Sequence, residues 1–158
     1  MKLKKSDLFT YAGNIVIALA VGGLSTWLNA GKMNISEIYI QPTLSPPAWL
    51  FPIVWTVLFT LMGISAAKVC ISGCEGSSDA LFIYAIQLVV NFLWTVFFFS
   101  FQALFLSLLW LVFLILLVIL MIVRFMRCVP SAGYLQIPCL VWLFFAAYLN
   151  LGLWLMNR

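Results

Sequence analysis

The sequence predicts an all-α integral membrane protein, a single domain built as a bundle of five transmembrane helices. Three observations carry this. The 158 residues are 66% apolar and 8% charged, where a soluble domain carries about 25% charged residues, and the mean hydropathy is +1.18. Five stretches are each long and apolar enough to cross a bilayer, which takes about 20 such residues. Finally, every ionisable Lys, Arg, Asp and Glu falls at the end of one of these stretches or between them.

The first stretch, 8–28, follows the basic start "MKLKKSD". That start, with the small residues Ala18 and Ala20, imitates a secretory signal, but the apolar run continues to Trp27 and reads as an uncleaved span. Ala18, Gly22 and Thr26 form an i+4 stripe suited to close packing within or between subunits. The connection 29–46 is the longest, and its "EIYIQPTLSPP" is too apolar for a free linker, so an ordered lid over the mouth of the bundle is expected.

The second stretch, 47–67, opens on Pro47, directly preceded by Pro46, and carries Pro52 in its second turn. Ser45 suits a cap, Pro46 keeps the preceding chain extended, and Pro47 suits the first helical turn. Pro52 lacks a backbone donor and is expected to bend the outer end of the helix. The third stretch, 80–101, and the fourth, 103–123, are divided only by the polar residues Ser100 and Gln102, which predicts a tight helical hairpin. In the fourth, Ser107 is the one clearly polar side chain, and most of its circumference is expected to face lipid. The fifth stretch, 131–156, contains Pro138, which should free the carbonyl of Tyr134 and bend this helix too. Bends in the second and fifth helices would widen the outer half of the bundle.

Orientation follows the cations beside the spans. With the amino terminus in the cytoplasm, that side collects Lys2, Lys4, Lys5, Lys68, Arg124 and Arg127, and the outside receives Lys32 and Arg158. The carboxyl terminus and the 29–46 loop are then outside. The net charge of +4 is too small and too dispersed for a nucleic-acid partner.

Several chemistries are disfavoured. There is no histidine, which removes the commonest proton shuttle and metal ligand. No metal site is expected. The carboxylates Asp7, Glu37, Glu75 and Asp79 all lie outside membrane depth, which argues against ion-coupled carriers and proton pumps. Cys70 and Cys74 share helical i, i+4 spacing, but no histidine or second close pair completes a zinc site. Cys70, Cys74, Cys128 and Cys139 are expected as unpaired structural thiols.

The interior polarity is uncharged. Gln87, Asn91 and Trp94 share one face of the third span; Trp142, Ala146 and Asn150 share one face of the fifth; Trp55, Phe59 and Met62 form the corresponding face of the second. At 1.5 Å per residue, Trp55 lies roughly 12 Å below the outer end of its span, and Asn91 and Ala146 roughly 14–15 Å below theirs. Three helices therefore bring an indole, an amide and a small residue to one level, as a pocket requires. Two other readings stand beside the pocket. Trp27, Trp49 and Trp154 suit the interfacial aromatic belt, and Gln87, Asn91 and Asn150 suit plain interhelical hydrogen bonds.

The segments "SPPAWLFPIVWTVLFTLMG", "IQLVVNFLWTVFFFS" and "IPCLVWLFFAAYLNLGLW" resemble, in order, the three signature segments of the translocator protein family. Its bacterial members are tryptophan-rich sensory proteins and its mitochondrial member is the peripheral-type benzodiazepine receptor. The resemblance implies a five-helix bundle, commonly a homodimer, here in a bacterial plasma membrane. It implies binding of porphyrins such as protoporphyrin IX and haem, and of isoquinoline-carboxamide and benzodiazepine-type drugs. Carried over by position, the pocket includes Pro46, Trp55, Phe59, Asn91, Trp94, Trp142, Phe145, Ala146 and Asn150. The family's tryptophans have been linked to light- and oxygen-dependent porphyrin breakdown, and Trp55 and Trp142 match those best.

The chain departs from the family where mitochondrial members recognise cholesterol. Leu151 stands in place of the tyrosine of that motif, and only Arg158 follows. Phe59 and Cys139 also replace tyrosines. Three functions result: a receptor or sensor for flat amphipathic tetrapyrroles, a slow photo-oxidative degrader of them, or a facilitator of porphyrin or lipid transport. Without histidine the usual axial haem ligand is missing, so a porphyrin is held as a ligand by shape and stacking, and no resident cofactor is implied.

Overall fold

The computed structural model describes residues 4–32 and 35–158, the side chains of 35 and 36 excepted; Lys2, counted among the cations above, lies outside the described residues. The chain is helical, and no strand occurs among the described residues. The elements are α1 (Lys5–Leu28), the short α2 (Ile35–Ile38), α3 (Leu50–Ser72), α4 (Ser77–Thr95), α5 (Leu104–Cys128), α6 (Pro130–Tyr134) and α7 (Ile137–Met156). Five spans are long and apolar enough to cross a membrane: α1, α3, α4 with its extension to Ser100, α5, and α6 with α7. The protein is an all-α membrane bundle.

At the end of α4 the helix widens into one π-helical stretch, Val96–Ser100. The Phe101 N–H bonds the carbonyl of Val96, five residues back, at 3.0 Å. Such single turns insert a residue and often mark functional positions. The chain then reverses within three residues, with Gln102 in the left-handed region at φ 51°. A polar residue between two aromatic runs can take this conformation at the membrane surface, where its backbone meets water.

The faces of α5 do not all meet lipid. Leu104, Ser107, Leu111, Leu114, Val118, Met121 and Phe125 are buried in a continuous stripe, packed against α4, α6 and α7. Much of the rest of the helix, including Leu106, Leu109, Val112, Phe113, Leu116 and Leu120, is exposed, in keeping with a helix that is lipid-facing over most of its circumference. The peripheral span is α1, with 11% of its window buried against 33–39% in the others. Its contact with α3 is close because Gly63 stands at the crossing: a Cβ there would lie 2.5 Å from the Cα of Ile15. The small-residue stripe of α1 is used within the chain, since Ala18 is fully buried and a Cβ at Gly22 would lie 2.6 Å from the Phe59 ring.

The prolines act differently from the expectation. Helix α3 begins at Leu50, so Pro47 precedes the helix, and its carbonyl accepts from the Leu50 N–H at 3.0 Å. Ser45 does not cap; its hydroxyl bonds Gln41 Oε1 at 3.4 Å. Pro52 is the third helical residue. The first four N–H groups of a helix have no intrahelical partner, so Pro52 removes no intrahelical hydrogen bond. Pro138 lies in the first turn of α7, and the fifth span is broken before it, at Leu135 and Gln136, rather than bent through it. This break is near the end of the span remote from the 29–46 connection, so it does not shape the outer mouth.

The cysteine expectation is also corrected. Cys74, in the turn after α3, is joined to Cys128 at the end of α5 by a disulfide with Cα atoms 5.5 Å apart. The left-handed Gly73 and Gly76 on either side let the turn reach α5. Cys70 and Cys139 remain free thiols, the first exposed and the second buried.

At the opposite end, the 29–46 connection is pinned to the helices. Asn157 exchanges two hydrogen bonds with the backbone of Ile40, at 2.9 and 3.1 Å. Pro42 fills the space where Gly152 lacks a side chain, and the Tyr39 hydroxyl donates to Gln102 Oε1 at 3.4 Å.

Candidate ligand-binding site

Under this connection, in the half of the bundle it covers, lies a cavity of about 380 Å³, within the roughly 300–1,000 Å³ range of small-molecule sites. Its walls come from α1, α3, α4 with the π-helical stretch, and α7; its cover comes from Gln41, Ser45, Pro46 and Ala48. No lining side chain is ionisable.

The aromatic wall is a connected series. The Trp55 ring lies 5.5 Å from Phe59 and 6.2 Å from Trp94. Trp94 in turn stacks on Phe98 at 5.4 Å with 22° between planes and meets Phe99 edge-on at 6.5 Å. Such separations fall in the favourable range for aromatic pairs. Phe98 and Phe99, both in the π-helical stretch, line the same cavity as Trp94.

The polar side chains of the wall are incompletely paired. Asn150 Nδ2 donates to Ser107 Oγ on α5 at 2.9 Å, which orients the amide and leaves Asn150 Oδ1 buried without a partner. Asn91 Nδ2 and Trp94 Nε1 are likewise buried and unpartnered. An unmet buried polar group costs about 1–3 kcal/mol, so two donors and one acceptor here are places where a bound molecule or water recovers free energy.

Of the residues singled out from sequence, Pro46, Trp55, Phe59, Asn91, Trp94, Ala146 and Asn150 all line this cavity. Trp142 and Phe145 do not. Trp142 sits behind Phe51, a lining residue, with ring centroids 5.8 Å apart, and Phe145 lies beyond Trp142 at 5.4 Å. Gln87 is fully buried below the cavity and donates weakly to Met62 Sδ at 3.6 Å. Both readings of the interior amides therefore apply at Asn150, which ties α7 to α5 and also lines the cavity. Trp27 and Trp49 are 71% and 65% exposed, as belt residues would be.

Sequence reasoning missed the contribution of α1, whose Leu19, Gly22 and Ser25 form one wall. The signal available was the small-residue stripe, read only as packing. It also missed Phe51 and the pair Phe98 and Phe99, because aromatic residues near a span end have no distinguishing spacing. Among the described residues no cluster of His, Cys, Asp or Glu is arranged for a metal ion.

Comparison with known proteins places these features in context. Residues 14–155 match the model of the TspO/MBR family. The chain is 37% identical over 154 residues to the tryptophan-rich protein TspO of Chlorobaculum tepidum, covering 96% of this chain and 98% of that one. It is 36% identical over 110 residues to the tryptophan-rich sensory protein of Cereibacter sphaeroides, covering 70% and 68%. With the translocator protein of Sus scrofa it shares 31% identity over 121 residues, covering 75% and 72%.

Proposed function

The chain belongs to the TspO/MBR family of membrane sensors and receptors, and we propose that it is a receptor for porphyrins and for flat drug-like molecules of the benzodiazepine and isoquinoline-carboxamide classes. One observation carries the reading: an uncharged cavity walled by Trp55, Phe59, Trp94 and Phe98, with unpartnered polar atoms on Asn91, Trp94 and Asn150. Aromatic walls stack on a macrocycle, and the unmet donors and acceptor set its rotation. A porphyrin held in this way needs no iron, so metal-free protoporphyrin IX and haem should bind comparably.

The test is quenching of tryptophan fluorescence by protoporphyrin IX in purified protein. Asn91→Ala removes a donor from the wall and should weaken binding by about tenfold, while Trp142→Phe, one layer out, should change it less. Unchanged quenching with Asn91→Ala would move the site elsewhere.

The contact of Trp55 with Trp94 also favours slow light-dependent breakdown of the bound porphyrin. A photoexcited ligand takes an electron from the lining indole and passes it to molecular oxygen as superoxide. The indole radical cation recovers an electron from the macrocycle, and superoxide adds to the porphyrin radical cation so formed, so that the net reaction is porphyrin plus O2. Trp55→Phe should then retain binding and lose the oxidised product, and equal product from the variant would end this reading.

We further propose that the protein sits in a bacterial plasma membrane with its amino terminus in the cytoplasm and the cavity opening outward, because Lys4, Lys5, Lys68, Arg124 and Arg127 gather at the far end. The exposed thiol of Cys70 reports this. A membrane-impermeant maleimide should label it in inverted vesicles and not in intact cells.

A further inference from the structure

The cavity has no charge of its own, yet the ligand class just proposed includes acids. An unpaired carboxylate taken into an apolar interior costs several kcal/mol, so the charged edge of such a molecule must stop where a cation can reach it. At the cavity end of the bundle the described cations are Lys32 and Arg158. They occupy different places. The Arg158 guanidinium lies 5.6 Å from the Trp154 ring, which packs on Phe105 of α5 at 5.0 Å, whereas α5 contributes nothing to the cavity lining.

Lys32 is connected to the lining by a continuous polar ladder. Ser25 and Thr95, both in the wall, share a hydroxyl–hydroxyl bond of 2.7 Å. Asn29 Nδ2 donates to Thr95 Oγ1 at 3.3 Å and to the Ser25 carbonyl at 2.8 Å. Ser100 Oγ donates to Asn29 Oδ1 at 2.9 Å, and Lys32 Nζ donates to Ser100 Oγ at 3.3 Å. Asn29 is fully buried, so the ladder is held rigidly between α1 and the π-helical end of α4. An ammonium has three donors, and the Ser100 hydroxyl occupies one of them. Ser100 directly follows Phe99, a wall residue.

We propose that Lys32 is the anion-recognising residue of this cavity, holding the carboxylate edge of an amphipathic ligand whose flat body lies in the uncharged interior. The inference rests on the porphyrin reading above and adds to it a preference for the free acid over its ester. A lysine just beyond a helix carboxyl terminus also complements the helix dipole, but that role has no bearing on which form of the ligand binds.

The experiment is an equilibrium titration of the full chain in an uncharged detergent, with protoporphyrin IX and its dimethyl ester as paired probes. Wild type should bind the acid more tightly. Lys32→Gln should weaken the acid about fivefold, the upper range for an exposed ion pair, and leave the ester unchanged; Lys32→Arg should restore the acid, and Arg158→Gln should affect neither. Added salt should narrow the acid–ester difference in wild type. Equal weakening of both probes by Lys32→Gln, or no weakening of the acid, overturns the assignment while the cavity reading stands. Wild type that binds neither probe removes the cavity reading and this inference together.

Discussion

Replacing Gly63 by alanine tests the α1–α3 crossing on which the cavity depends. The added Cβ would stand 2.5 Å from Ile15 Cα, 2.7 Å from Ile15 N and 2.8 Å from the Asn14 carbonyl. Carbon atoms in contact rest at about 3.5–4.0 Å, so α1 must move away from α3 by about 1 Å at this point. The obstacle is backbone on all three counts, and no rotamer change relieves it. Overpacking of this kind costs up to about 3 kcal/mol, and the gain in helix propensity from Gly to Ala returns about 1 kcal/mol. The net loss of about 2 kcal/mol should lower the melting temperature by about 4–8 °C for a chain of this size. Circular dichroism melts in detergent measure it. Gly13→Ala is the control, because a Cβ there meets nothing within 4 Å, and its melting temperature should hold or rise. Gly63→Ala melting at or above wild type would refute the crossing geometry. Since α1 carries Leu19, Gly22 and Ser25 of the wall, the same variant should also weaken protoporphyrin IX quenching.

Three other expectations follow from particular contacts. Ser107→Ala removes the acceptor of Asn150 Nδ2 and should destabilise the protein by about 1–2 kcal/mol, with Asn150→Leu added to it recovering part of the loss in the same melts. Binding of an uncharged benzodiazepine-type ligand should be constant from pH 5 to 9 in fluorescence titrations, roughly the span over which histidine, cysteine and amino groups titrate, because no lining side chain is ionisable; a sigmoidal pH profile would place an unrecognised titrating group at the site. Thiol titration of unfolded, unreduced protein should give two equivalents, from Cys70 and Cys139, rising to four after reduction.

Much of the site was legible before any coordinates. Trp55, Asn91 and Ala146 were placed at one depth by counting the helical rise, and the three residues line one cavity. The prolines were less legible, because a proline means opposite things inside a helix and in its first turn. Only the observed start at Leu50 shows that Pro52 costs nothing. Trp142 shares its helix face with Asn150 in sequence spacing, yet Phe51 stands between it and the cavity. Helical periodicity specifies a direction around one axis and carries no information about which neighbouring side chain arrives first.

The order of apolar runs and charges along the sequence was enough to establish a membrane bundle of five spans with no charge at depth, since the bilayer excludes both ions and unpaired backbone and imposes a length on each segment. Tertiary structure alone decided which side of α5 is buried, that α1 is a wall of the cavity, and that Cys74 meets Cys128. The reason is that lipid tails are as apolar as the protein interior. A soluble helix records its buried face as an apolar stripe, whereas Leu111 and Leu116 on α5 are chemically alike although the first is fully buried and the second 60% exposed.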